Sequence, residues 1–408
     1  MTNTPPRAAL RAVVHDLAEA EVAKIARVVA MVDALPSRGA ADEVIAPLRP
    51  RLLALRPPRP LRLGRLLFLP LDAVIVPAAN WRRGSPAIPR SVLPTIALHL
   101  SRLAAREVAE VEAVAAGATT ADSGRLLAAG RMLWPMAARE LMQASAPADW
   151  TVETGLQPAD FAMIAANIAT VLHCAAEVQT LAASGADPQP ALGAILTEAA
   201  QRRPAQLPTL LAALLALWPD CTWLIALTER LAAQQGLAGL RGATDGALDL
   251  ALATIEAAPA LPPDMVVAEQ DLKRAISLIE ACDGRTAQTA ERRERLRDLR
   301  KRYEQEARSC FDTALASGIM DPVAGIAGAD DAAVVAMEHR ARDLRRFEAT
   351  ARRVGTRTHY DQTLRDAAER LRPAGDATPA ARSDRLRLVE ILAGAEVALA
   401  MLADRGAG

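Results

Sequence analysis

From Phe161 to Val178 the apolar side chains stand at Phe161, Ile164, Ile168, Val171, Ala175 and Val178, in alternating steps of three and four. That rhythm matches the 3.6-residue turn of an α-helix and places all six on one face, so residues 158–181 are predicted to form a core helix. Residues 94–116 repeat the pattern with Ile96, Leu100, Leu103, Val111 and Val114, and Gly117 is placed to stop the helix. Residues 7–35, between Pro6 and Pro36, carry Val14, Leu17, Ile25, Val28, Val32 and Leu35 in similar register. Further helical patterns lie near 190–202, 207–217, 220–235, 245–257, 264–282, 286–316, 331–352, 358–372 and 381–403.

Strand signals are nearly absent. The aromatic content is 3%, and the best β-branched stretch, residues 66–76, is interrupted by Pro70 and Asp72. The expected fold class is therefore all-α, a multi-helix array. Two internal similarities suggest stacked helical hairpins in the manner of an α-solenoid, with chance matching in an Ala- and Leu-rich chain as the competing explanation. LLAAGRMLWP at 126–135 matches LLAALLALWP at 210–219 in seven of ten positions, and DLRKRYE at 298–304 is echoed by DLRRFE at 343–348. Three regions are expected: 1–117, 118–257 and 264–408. Pro259, Pro262 and Pro263 mark the main joint, and a second Pro/Gly stretch at 373–379 sets off the last helix.

Forty-eight Lys and Arg balance forty-eight Asp and Glu, so no net field draws the molecule to nucleic acid or to an anionic membrane. Lys24, Lys273 and Lys301 are the only lysines, a bias attributed to a GC-rich bacterial genome. Residues 207–227 approach the length of a membrane span, but Pro219 and Asp220 sit where they would open a new helix. Two buried helices meeting at a corner are expected there, with no membrane partner. Cys174, Cys221, Cys282 and Cys310 lack CxxC spacing and read as small buried residues of a reducing compartment. The polar first ten residues do not resemble a secretory signal, so a cytoplasmic location is expected.

The most unusual stretch is 47–94, an arm with ten prolines and nine arginines against the single acid Asp72. Nine positive charges less one negative leave it at +8, and the rest of the neutral chain at −8. Proline at this density forbids a continuous helix, while the interspersed Leu, Ile and Val residues are too apolar for a disordered tail. An ordered arm packed on the helical body is expected. Its arginines pair with acidic helix faces of the same chain in the leading reading; a protein-docking or a phosphate-binding surface are the alternatives. The candidate binding residues are Arg59, Arg62, Arg65, Trp81, Arg82 and Arg83. An aromatic beside two arginines could stack on a base while holding phosphates, although a single aromatic such as Trp81 is more often the anchor of its loop.

Catalytic and cofactor motifs do not emerge. None of the five histidines has a Glu three residues before it, as a di-iron bundle requires, and the HExxH, GxxxxGK[ST] and GxSxG patterns are missing. No metal or cofactor is expected. The run Gly236, Gly239, Gly242 and Gly246 follows a helical pattern rather than the strand that a dinucleotide loop needs, and reads as a helix cap and loop. His173 and Cys174 are adjacent on a helix and so point about 100° apart. His359, Tyr360 and Asp361 form the one cluster of diverse titratable groups, accounted for as readily by helix-start chemistry as by acid–base work. On the charged helix Glu291 stands four before Arg295, Asp298 before Arg302 and Glu304 before Arg308, with Leu296, Leu299, Tyr303 and Cys310 as its apolar stripe. Asp330 and Asp331 lack the second half of a DDxxD metal motif. The leading expectation is a non-catalytic interaction or scaffold protein with a protein partner. A nucleic-acid-associated protein using the arm is the runner-up, and a helical enzyme of unknown chemistry comes third.

Overall fold

The structure, a computed structural model, describes residues 58–234, 239–284, 290–323, 331–373 and 378–403. The expected helix over 7–35 and the first part of the arm, 47–57, lie outside the described residues. The chain divides into two compact units, Met1–Ala258 and Pro259–Gly408, at the proline-rich joint. The regions 1–117 and 118–257 fall together in unit 1, and 264–408 falls in unit 2. Helices dominate both, and the fold is an all-α array.

Among the described residues, unit 1 opens with the second part of the arm. Helix α1 (Leu63–Phe68) runs into a 3-10 turn over Leu69–Val74, followed by β1 (Ile75–Val76) and β2 (Ile88–Pro89). The strands pair in parallel, Ile75 opposite Ile88 and Val76 opposite Pro89. At two residues each they are too short for alternation to register in sequence. Then come α2 (Leu93–Leu103), α3 (Ala105–Ala115), α4 (Ser123–Gln143), α5 (Trp150–Thr154) and α6 (Pro158–Ser184). The unit closes with α7 (Gln189–Arg202), α8 (Leu207–Leu215), α9 (Thr222–Gln234) and α10 (Gly239–Glu256).

Helix α6 is the spine of unit 1. Pro158 occupies its first turn, Gln157 and Asp160 close a reciprocal capping box, and Gly185 ends it at φ 67°. All six residues of the predicted stripe are buried, and so are Ala165, Ala169 and Leu172, because α4 packs along the helix on one side and α8 touches it on another. Among the described residues this is the one helix long and apolar enough to cross a membrane, and 67% of its most apolar stretch is buried within the protein. The stretch 207–227 forms the expected corner. Helix α8 stops at Leu215, and Asp220 accepts hydrogen bonds from the Thr222 amide (3.1 Å) and hydroxyl (2.7 Å) at the start of α9. Gly239, Gly242 and Gly246 lie inside α10 rather than in a loop, and Gly246 faces Pro208 of α8.

One expected helix, 94–116, is two. Its buried positions are Ile96, Leu100, Ala104, Val108, Val111 and Ala115, whereas Leu103 is 48% exposed. Each step of four on a straight helix advances about 40° round the axis. Three in succession would carry the stripe off the core, and the break at Ala104 (φ −128°, ψ 48°) resets it.

Unit 2 is built from α11 (Met265–Asp283), α12 (Ala290–Leu315), a π-helical turn Ala316–Met320, a short turn Asp321–Val323, α13 (Asp331–Ala351), α14 (Arg357–Leu371), α15 (Pro379–Ala393) and α16 (Ala395–Ala403). Asp264 caps α11 by accepting from the amides of Val266 (2.9 Å) and Val267 (3.2 Å). Helix α12 packs against α11 and α13 of its own unit through Leu296, Leu299, Tyr303, Ala307 and Phe311. Steps of four from Tyr303 select Ala307 and Phe311, which leaves Cys310 beside the stripe and half-buried. Gly394, at φ 99°, divides the expected helix 381–403 into α15 and α16.

Candidate functional site

The basic arm is tied to its own unit at several points. The Leu61 amide donates to the Ala118 carbonyl (2.9 Å), the Thr120 amide to the Arg59 carbonyl (2.8 Å), and the Arg59 amide to the Thr120 hydroxyl (3.0 Å). Arg65 donates from Nη1 to the Pro60 carbonyl at 2.6 Å. Burial away from water raises the pKa of Asp72, while the charges of Arg90, Arg65 and Arg59 pull it down. The Trp81 indole N–H donates to the Ala87 carbonyl (3.0 Å), closing the loop between the strands with the ring half-buried.

Arg83 makes the strongest tie. Its Nε and Nη2 donate to the two oxygens of Asp160 at 2.6 and 2.9 Å, a bidentate pair at the start of α6. Asp160 is buried, and it also accepts the Gln157 amide at 3.0 Å. The Arg83 hydrogen bonds hold its carboxyl below the usual range, against the upward push of burial. Arg62 and Arg82 face solvent. The six candidate residues thus do not converge on one site: Arg59 and Arg65 act on Asp72, Trp81 on its loop and Arg83 on α6, while Arg62 and Arg82 are exposed.

The remaining reactive side chains are quiet. A cleft of about 170 Å³ in unit 1 is lined by His173, Cys174, Glu177 and Arg202. The Cys174 thiol lies 3.4 Å from the Val171 carbonyl, and burial pushes its pKa up to about 12; His173 is exposed. Burial likewise pushes the Cys310 thiol up to about 11 and the Tyr303 and Tyr360 hydroxyls up to about 12. The trio at 359–361 diverges: His359 Nε2 lies 3.0 Å from Asp312 Oδ1, Tyr360 packs edge-on against Phe311, and Asp361 accepts from Arg352 at 2.6 Å. Among the described residues no group of three or more His, Cys, Asp or Glu side chains is placed to hold a metal ion.

A concavity that sequence reasoning missed is a groove of about 650 Å³ in unit 2, lined by residues of α13, α14, α15 and α16. Leu364, Ala368, Leu392 and Val397 supply apolar wall, and Arg345, Arg352 and Arg365 supply charge. Two of these arginines are held from behind by Glu348, which is 2% exposed. Arg345 Nη1 donates to it at 2.6 Å and Arg352 Nε also donates to it, while Arg352 Nη2 reaches Asp361. The signal available in sequence is Glu348 itself, three residues after Arg345 and four before Arg352, a spacing that puts both arginines beside one carboxylate. Comparison with protein-family models, with curated proteins and with solved structures finds no match to this chain.

Proposed function

We propose that the chain is a non-catalytic helical interaction protein of the cytoplasm, with the basic arm serving chiefly to complete unit 1. The observation that supports this reading is the state of two thiols and two tyrosine hydroxyls that could otherwise do covalent or acid–base work. Catalytic groups work best with pKa values near the ambient pH. Cys174, Cys310, Tyr303 and Tyr360 are all moved away from it, to between about 11 and 12. What the molecule offers to solvent instead is apolar surface, including Leu399 and Leu402 on α16 and Val152 on α5.

Cross-linking in cells followed by mass spectrometry tests the reading. A reproducible protein partner cross-linked near α16, lost in the double variant Leu399→Glu/Leu402→Glu while melting is unchanged, is the expected result. An enzymatic turnover abolished by Cys174→Ser or Cys310→Ser in a folded variant would overturn it.

A further inference from the structure

His99 of α2 is a titratable ring set against aromatic ones. Its Nε2 atom is closed off from solvent and has no hydrogen-bond partner among the described residues. The ring stands edge-on to Phe161 of α6, with centroids 5.9 Å apart, and Phe161 stands edge-on to Trp150 of α5 at 5.0 Å. Trp150 is the one buried residue of α5, a helix of five residues that touches α2, α6 and the turn Arg90–Val92. Its indole N–H donates to the Gln157 carbonyl (3.1 Å), and Gln157 caps α6. The seat of α5 in unit 1 therefore runs through a row of three rings, His99, Phe161 and Trp150, and a helix so short and so little buried belongs to the least stable part of a fold.

A neutral imidazole suits this place and a charged one does not. In the imidazolium both ring nitrogens carry an N–H, and the one on Nε2 finds no acceptor. Loss of hydration weighs on the charged form, and Arg102, three residues on, repels it; Asp149 at the start of α5 and the Ser145 carbonyl favour it, and the balance holds the pKa below its ordinary value. The other charges on the surrounding elements are engaged or in solvent: Asp160 beside Phe161 is paired with Arg83, Glu140 of α4 with Arg139, and Glu153 of α5 is exposed. We propose that His99 is an acid-sensitive latch: neutral, it packs α5 into the corner between α2 and α6, and protonated, it releases α5 and uncovers Phe161. Because the closed form disfavours the proton, closure is complete above the ordinary imidazole value of about 6.5 and weakens as pH falls from there to the lower folded value. The latch goes beyond the interaction reading and does not depend on it, since it acts within unit 1 whether or not α16 docks a protein.

Two measurements on the full chain test the proposal. NMR of isotope-labelled histidine, with the His99 signal assigned through its contact with Phe161, follows the ring itself; it is expected to be still mostly neutral at about pH 6.5 and to titrate at lower pH. Hydrogen exchange, read as protection factors so that the intrinsic effect of pH cancels, follows the amides of α5. Their protection is expected to fall between about pH 7.5 and about pH 5, while the middle of α6 keeps its own. In His99→Phe, where an apolar ring of similar shape fills the place, α5 should stay protected across that range. A His99 that titrates at or above about pH 6.5, α5 protection indifferent to pH in the wild type, or a fall that persists unchanged in His99→Phe would each overturn the latch. The first two of these outcomes are read on the wild type and stand whether or not the variant folds.

Discussion

Arg83 and Arg82 are neighbours in sequence with opposite structural roles, and substitution separates them. Arg83→Glu should lower the melting temperature by placing a like charge against buried Asp160, whereas Arg82→Glu, at an exposed position, should leave it nearly unchanged. Asp160→Asn removes both the bidentate pair and part of the α6 capping box, at an expected cost of about 1–2 kcal/mol by urea denaturation. The pH dependence has a defined sign. The folded pKa of Asp160 is depressed, so its stabilisation is complete above the ordinary carboxylate range near about pH 4. It is lost as pH falls through the lower folded value. Asp160→Asn should therefore flatten the acid limb of the stability profile; an unchanged limb would show that other carboxylates govern it. A second residue-scale constraint is Gly130. A Cβ there would lie 2.4 Å from the Trp134 ring, whose indole N–H donates to the Leu66 carbonyl at 2.8 Å. Gly130→Ala should cost about 1–3 kcal/mol by forcing that ring aside.

The same glycine explains why two similar sequences fold differently. In LLAAGRMLWP the ring of Trp134 lies over Gly130, and α4 continues through Pro135 to Gln143. In LLAALLALWP the corresponding position is Leu214, which leaves no room for Trp218 to fold back, and α8 ends at Leu215. Trp218 packs edge-on against Trp223 instead. The repeat seen in the letters is therefore not a repeat of structure at this site. Helix identity and the burial of α6 were legible because periodicity is local. The breaks at Ala104 and Gly394 were not, because they depend on which neighbour each half must meet. The candidate site was legible only in part: the arm's charge stood out, but its pairing of Arg83 with Asp160 spans 77 residues, and the groove is assembled from four helices whose packing no local pattern encodes. At Gly394, φ 99° with ψ 160° is a conformation nearly confined to glycine. Gly394→Ala should destabilise the α15–α16 corner by about 1–3 kcal/mol, read as faster hydrogen exchange in α16 with α6 unaffected.

At the level of the whole molecule the two units carry separate cores, so residues 259–408 expressed alone should give a helical circular dichroism spectrum and a cooperative melt. A noncooperative melt would mean that unit 2 borrows stability from unit 1. The arm's formal charge of +8, in which Asp72 is already counted, is partly answered within unit 1 by Asp160. The full chain is expected to bind nucleic acid no more tightly than about 10 μM at physiological salt, weaker than the specific range. Submicromolar, steeply salt-dependent binding lost on reversing Arg62 and Arg82 would favour the nucleic-acid reading of the arm. The distribution of thiols gives the molecule a pair of built-in stopwatches. Cys221 is sealed in one unit and Cys282 in the other, so a small alkylating reagent reaches each only when its surroundings open. The labelling rates then time the breathing of each half separately, in the unmodified protein and in a single reaction.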